Sequence, residues 1–389
     1  MTSTTLRSSL SLDQCADQLW DVVVVGAGPA GALAANLLAR ANHSVLLVDK
    51  DTFPRWKVCG CCLTARAAQV LQDNNLGDLL PNHGAVSLHS LQLASGSRQA
   101  RLSLPGWSSI SREVLDTKLI ESALSEGVSF LSETRVSLGD ILPSGREVQL
   151  RQDGQNVTIP AKLILAADGL GGRFLASEAQ QSPKINPHSR IGAGVIVETV
   201  PAYYQRGIVY MACGKGGYVG MVRLEDDRLD IAAAFDPVHI KRHGGLGQAA
   251  AAILNETGWP SIPEIDGIPW RGTVQLTQSK KSLGADRVLV LGDAAGYVEP
   301  FTGEGMTWAL SSAAAVVPFA TQAISEWMPS LVDRWSEIHR QSIGQRQGMC
   351  RWIARVLRSP FLTRSALLAL QWAPALGNPF VRRISGATY

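Results

Sequence analysis

Three features of the chain predict an α/β fold with a discontinuous nucleotide-binding lobe, an antiparallel-sheet lobe and a helical C-terminal tail. Buried-type apolar runs at 21–25, 43–48, 161–167 and 287–291 end in an acid or in glycines, as covered parallel strands do. Between them, 191–235 alternates apolar and polar residues with the period of exposed-face strands. Beyond Met306 the apolar residues return at helical spacing to the end.

The first element is Asp21-Val-Val-Val-Val-Gly26-Ala-Gly28-Pro-Ala30-Gly31, followed by a helical 32–40 and by His43-Ser-Val-Leu-Leu-Val-Asp49. Strand, glycine turn, helix and a second strand ending in an acid make one Rossmann-like βαβ unit. Its glycines suit a turn that brings backbone N–H groups at a helix N-terminus against a pyrophosphate, and Asp49 suits a ribose. Phe53 to Leu63 fits neither period and reads as a loop entering a helix over 64–72. Strands follow between about 85 and 103, then a helix over 111–125 with Ser111 as candidate N-cap. A hairpin over 148–159 turns at Asp153-Gly154. Strands at 194–200, 207–211, 218–224 and 229–234, with a turn at Glu225-Asp-Asp227, build the second lobe. The predicted nucleotide lobe comprises 1–84, 104–184 and 285–340, the substrate lobe 85–103 and 185–284, and the tail 341–389.

The chain has 389 residues, 46% hydrophobic and 18% charged, a balance that excludes disorder and coiled coils. A net charge of +3 with no basic stripe argues against nucleic acid. Six irregularly spaced Cys argue for free thiols in a reducing compartment, and no run of signal-peptide or membrane-spanning length is present. A cytoplasmic location is expected. The tail concentrates charge: 340–389 holds eight Arg and no Asp or Glu, interleaved with Trp352, Phe361, Leu362 and Trp372. Such helices either pack on the second lobe with solvated Arg or lie peripherally on the inner membrane face, and a mixed role fits both. His239 and His243 read as part of a solvated turn.

Four motifs then select the cofactor. Arg112-Glu-Val-Leu115-Asp116 resembles the Arg-x-x-Leu-Asp helix of the para-hydroxybenzoate hydroxylase-like flavoproteins, Asp168-Gly169 their Asp-Gly motif, and Gly292-Asp293 with Pro300, Gly303 and Gly305 their Gly-Asp motif. The glycine turn is the fourth. The resemblance implies FAD, contacted by Gly26, Gly28, Ala30, Gly31, Asp49, Lys50, Arg112, Asp168, Gly169, Gly292, Asp293, Pro300, Gly303, Glu304, Gly305 and Met306. Within that superfamily, Lys57-Val-Cys59-Gly60 resembles the Lys-x-Cys-Gly segment of the geranylgeranyl reductase family, and Pro300-Phe-Thr302-Gly303-Glu304-Gly305 its Pro-x-Thr-Gly-Glu-Gly segment. That family's aromatic Tyr-x-Trp-x-Phe-Pro strand has only Gly217-Tyr218-Val-Gly-Met-Val as counterpart. A flavin-dependent halogenase shares the fold but is disfavoured, because its Trp-x-Trp-x-Ile-Pro segment is missing.

The resemblance leaves three readings. The favoured one is a monooxygenase that uses NAD(P)H and O2 to hydroxylate a hydrophobic, phenolic or alkyl-chain substrate. The alternatives are a reductase of carbon–carbon double bonds in an isoprenoid or lipid, and a flavoprotein that modifies or matures a partner protein. Without a second glycine fingerprint, NAD(P)H is expected to bind transiently. Cys59 is the candidate catalytic residue, against a packing role for a small residue beside the ring. Cys61, Tyr218 and Phe301 are candidate substrate contacts. No metal site is expected, since Cys59, Cys61 and Cys62 lack a second ligand pair.

Overall fold

The computed structural model describes residues 5–176, 178 and 182–385. In chain order, β1 (Trp20–Val25) leads through the glycine turn into α1 (Pro29–Arg40) and β2 (Val45–Val48). Then come α2 (Ala65–Asp73), β3 (Val86–Ser95), β4 (Arg98–Ser109), α3 (Arg112–Ser125) and β5 (Ser129–Leu131). A meander of β6 (Arg135–Leu142), β7 (Gly145–Gln152) and β8 (Gln155–Ala166) precedes β9 (Ile191–Val197), β10 (Ile208–Gly214), β11 (Gly217–Arg223) and β12 (Leu229–Phe235). The chain continues through α4 (Pro237–His243), α5 (Leu246–Asn255), β13 (Arg271–Gln275) and β14 (Val288–Val290). It ends in helices: α6 (Gly305–Ser325), α7 (Ser330–His339), α8 (Gln345–Val356), α9 (Pro360–Trp372) and α10 (Asn378–Ser385).

The parallel strands β14, β8, β1, β2 and β5 stand side by side in the first sheet, with β7 and β6 attached antiparallel to β8. Val22, Val23, Val24, Leu46, Leu47, Ile164, Leu165 and Leu289 are fully buried, because helices cover both faces. Ala-rich α1 packs closely on α3 and α6, so the strand end carrying Gly26 is held rigidly at the N-terminus of α1. The second sheet runs β13, β9, β12, β11, β10, β3, β4. Its pairs are antiparallel except β10–β3, which is parallel, a departure from the fully antiparallel expectation. The parallel pair arises because β3 and β4 arrive from an earlier part of the chain and close the sheet edge.

Local signals place most elements within a few residues. Ser111 accepts the Val114 N–H as N-cap of α3, and Thr64 caps α2 in the same way. The β7–β8 turn falls on Asp153 and Gly154, both with positive φ, the mirror-image turn that matches strand twist. Two expectations need correction. The strand predicted to stop near 103 runs to Ser109, so 104–109 belongs to the second sheet. His239 and His243 lie on α4 rather than in a solvated turn: their rings are 4.4 Å apart, and His239 is buried with Nε2 3.2 Å from the Ala249 carbonyl. Apolar Ala249 and Ala250 on the neighbouring helix draw that ring inward.

The tail packs on the first lobe through α8 and on the second sheet through α9 and α10. Leu367 and Val381 are buried in the same apolar cluster as Cys61, Cys62, Leu104 and Trp107. Trp107 Nε1 donates 2.9 Å to Ser385 Oγ, which ties α10 to β4.

Candidate active site

A single continuous cavity of about 1140 Å³ runs from the end of β1 to the second sheet and is closed on one side by α10. Its first end is polar. Gly26, with φ near 102°, and Gly31 have no room for a Cβ: those atoms would fall 2.3 Å from the Ala167 carbonyl oxygen and 1.8 Å from that of Gly26. Gly28 differs, since its Cβ would project into the cavity 3.6 Å from Arg112 Nη2 and 3.8 Å from Arg55 Nη2. Arg55 is pinned by Asp51 at 3.0 Å, Asp49 at 3.4 Å and Asp116 at 3.8 Å, yet its buried Nε has no hydrogen-bond partner. Arg112 makes two 2.8 Å bonds to Asp116, a bidentate pair that fixes its plane. Two guanidinium groups and a 12-residue helix N-terminus around an open glycine form an anion cradle. These residues fit the pyrophosphate of a dinucleotide, and Asp49, which also accepts the Ala27 N–H at 2.6 Å, stands at the end of β2 where a ribose would meet it.

The middle of the cavity carries Lys57, Asp168 and Asp293. Burial pushes Lys57 down, with Arg112 and Arg55 adding repulsion, and pushes Asp293 up against the pull of Lys57 and Arg112. Asp168 accepts the Phe174 N–H at 2.9 Å and is also raised by burial.

Beside Lys57 stand three thiols and a carboxyl. The neighbouring Cys61 thiol, reinforced by the Arg112 guanidinium, holds Cys59 well below the usual thiol range despite burial. Cys61 is pushed correspondingly up by Cys59, by burial and by Asp230. Asp230 projects from β12 opposite Val222 and Ile196, 1% exposed, and neither carboxyl oxygen makes a hydrogen bond of ordinary geometry. Burial and the neighbouring Cys59 raise its pKa above the usual carboxylate range, which favours the protonated acid. Burial, with Asp230 and Cys59 nearby, also raises the Cys62 thiol, which lines the same cavity.

The far end is apolar, walled by Leu91 and Leu104 of β3 and β4, Val209 and Met211 of β10, Val222 of β11, and Phe380 and Val381 of α10. Tyr218 and Phe301 meet edge to face at 5.1 Å on its rim. The aromatic lining that the second-sheet motif lacks is thus supplied from elsewhere, by Trp56, Trp107, Phe301 and Phe380.

Of the sequence candidates, Gly26, Gly28, Ala30, Asp49, Lys50, Arg112, Asp168, Gly169, Asp293, Pro300, Gly303, Gly305 and Met306 line this cavity together with Cys59, Cys61, Tyr218 and Phe301. Gly31, Gly292 and Glu304 do not. Gly31 and Gly292 serve close packing, the latter with its absent Cβ 2.7 Å from that of Ala30. Glu304 turns away into the protein, where Thr302 Oγ1 donates to it at 3.0 Å and Cys350 Sγ of α8 at 3.3 Å. Sequence reasoning missed Asp230, Arg55 as a cradle residue, Trp107 and the α10 side chains. Only Asp230 left a local signal, a lone acid in the apolar run Leu229-Asp-Ile-Ala-Ala-Ala-Phe235.

A Rossmann-type sheet whose glycine cradle opens on a large cavity beside a second sheet defines an FAD-dependent oxidoreductase. The FAD binding domain family matches residues 20–345, and the chain belongs to it. Menaquinone reductase of Mycobacterium tuberculosis is 27% identical over 95% of this chain and 91% of its own length. Digeranylgeranylglycerophospholipid reductase 1 of Methanopyrus kandleri is 28% identical over 83% and 88%. Conditioned medium factor receptor 1 of Dictyostelium discoideum is 25% identical over 82% of this chain, which spans 66% of that protein. Among solved structures the flavin-dependent brominase Bmp2 superposes with a TM-score of 0.78 at 16% identity over 95% of this chain and 94% of its own. PqsL of Pseudomonas aeruginosa gives 0.70 at 18% over 90% of this chain and 100% of its own. At such identities these two likenesses concern the fold.

Proposed function

We propose that the protein reduces a carbon–carbon double bond of an isoprenoid or related lipid, with FAD as resident cofactor and NAD(P)H as transient donor. The carrying observation is the cluster at the junction of the polar and apolar ends: Cys59 and Cys61 line the cavity beside the buried Asp230, with Cys59 held below the usual thiol range and Cys61 and Asp230 pushed above theirs. The extended similarity to two lipid-directed reductases, over most of both chains, supports the same reading. The hydroxylation favoured by sequence rested on the missing aromatic strand, and that weight falls because Trp107 and Phe380 line the cavity instead.

In this reading Gly28, Arg55, Arg112 and the N-terminus of α1 hold the pyrophosphate, Asp49 a ribose and Asp293 the ribityl chain. When bound and reduced, FAD supplies a hydride equivalent. The apolar wall seats the isoprenoid chain and excludes water. A proton passes from Cys61 to Cys59 and on to the carbon beside the one that accepts hydride, and the Asp230 proton refills Cys61. One carbon thus gains hydride and its neighbour a proton, so the double bond becomes saturated with charge balanced.

The test is anaerobic incubation of the reduced holoprotein with a polyprenyl quinone or an unsaturated prenyl glycerolipid in deuterated buffer, followed by mass spectrometry. Gain of two hydrogens, one of them solvent-derived, is expected, and Cys59→Ser is expected to slow it by on the order of a hundredfold. A product that appears only with O2 and carries one added oxygen would sink the reading. Independently, the low thiol pKa predicts that Cys59 alkylation by iodoacetamide stays fast as pH falls below the range where an ordinary thiol becomes protonated. A rate that falls with pH like that of free cysteine would remove the thiolate.

A further inference from the structure

The outer surface of the tail is not explained by its packing on the cavity. Around α9, Thr363, Leu367 and Leu370 face inward, within about 60° of one another. Phe361, Leu368 and Trp372 fall within about 40° on the opposite face. Phe361 is 78% and Trp372 83% exposed, and Trp352 of α8 and Leu376 follow at 62% and 63%. A helix apolar on two opposite faces, one of them in water, implies a second covering.

The charge beside this surface says what kind. Arg351, Arg355, Arg364, Arg382 and Arg383 are exposed and make no ion pair among the described residues, whereas Arg346 and Arg358 turn inward to Glu304 and to Asp236 and Glu299. Residues 340–389 include no Asp or Glu. Exposed aromatic side chains on helices that also carry uncompensated guanidinium groups complement an anionic lipid surface, in which the rings enter the headgroup boundary and the Arg side chains meet phosphate. No helix of the described residues is long and apolar enough to cross a membrane, so contact of this kind is peripheral.

We propose that the outer face of α8 and α9, with Phe361 and Trp372 at its centre, docks on an anionic lipid bilayer. The helix that follows, α10, contributes Phe380 and Val381 to the cavity wall. This goes beyond the reductase reading and does not need it, since the surface is defined by exposure and charge alone.

The test is cosedimentation of the full-length, FAD-loaded protein with phosphatidylglycerol-containing vesicles and with pure phosphatidylcholine vesicles, read in parallel by tryptophan emission. We expect at least about tenfold preference for the anionic vesicles, a blue shift on binding, and weakening by salt. F361S/W372S should lower vesicle affinity by on the order of tenfold or more while keeping the flavin spectrum and melting temperature. R364Q/R382Q/R383Q should remove the anionic preference with both rings in place, which keeps the proposal testable should the double variant fold poorly. Equal binding to both vesicle types with no effect of either variant would overturn it. So would a protein that stays in the supernatant and instead self-associates through Phe361 and Trp372, the outcome expected of a protein-docking face.

Discussion

The two ends of the cavity are built on opposite principles. The polar end takes its backbone cradle from 26–31 and its charges from four short segments whose spacing is fixed by strand and helix ends: Asp49 closes β2, Arg55 follows in the next loop, Arg112 and Asp116 share one turn of α3, and Asp293 follows β14. The apolar end takes one or two side chains from each of β3, β4, β10, β11 and α10, spread over nearly three hundred residues. Charges must be placed to a fraction of an ångström and leave motifs, whereas an apolar wall needs only volume and can be assembled by any helix or strand that reaches it. The polar end is therefore intolerant and the apolar end plastic.

Arg112→Leu is the largest expected break in that comparison. Asp116 is fully buried and spends both oxygens on Arg112, with Arg55 only within 3.8 Å, so removal of the guanidinium strands a carboxylate. A loss of about 3–5 kcal/mol is expected, seen as a lower denaturant midpoint, with little FAD retained. A stable, fully yellow variant would mean that Arg55 alone sustains both Asp116 and the cofactor. At the other end Leu104→Ala removes a 2% exposed side chain that borders existing space, and about 2 kcal/mol is expected with FAD loading intact. Loss of flavin from that variant would show that the ends are coupled and that the contrast fails.

The same contrast explains what could be read from the chain. The glycine turn, Asp49, Arg112, Asp168 and Asp293 were legible because each lies at the end of a periodic element, where a small set of residues meets a fixed steric or electrostatic demand. The cap of α3 and the Asp153-Gly154 turn were legible for the same reason. The aromatic lining was not. A motif-based comparison looked for rings on β11, but Trp107 and Phe380 reach the cavity through the pairing of β4 into a distant sheet and the docking of α10 upon it. The tail illustrates the limit from another side: its mixture of Arg with aromatic and aliphatic residues was visible as a composition, but which side of α9 is covered depends on where the helix lands against β3 and β4.

Glu304 is the smallest and sharpest test, because its place in a flavin-side motif suggested cofactor contact and its side chain points the other way. It is wholly buried, receives Thr302 and Cys350, and has a second oxygen 3.9 Å from Arg346, too far for a hydrogen bond. Burial raises its pKa, which favours the protonated acid, and a glutamine has nearly the same shape and can accept the same two donors. Glu304→Gln should therefore change stability by less than about 1 kcal/mol and leave FAD absorbance unaltered, since the residue fastens α8 to the start of α6 and lines neither end of the cavity. An apo variant would return Glu304 to the cofactor. A variant that keeps FAD while the tail becomes more accessible to protease would assign the motif's acid to tail docking, since Pro300, Phe301, Thr302, Gly303, Gly305 and Met306 around it line the cavity while Glu304 itself does not.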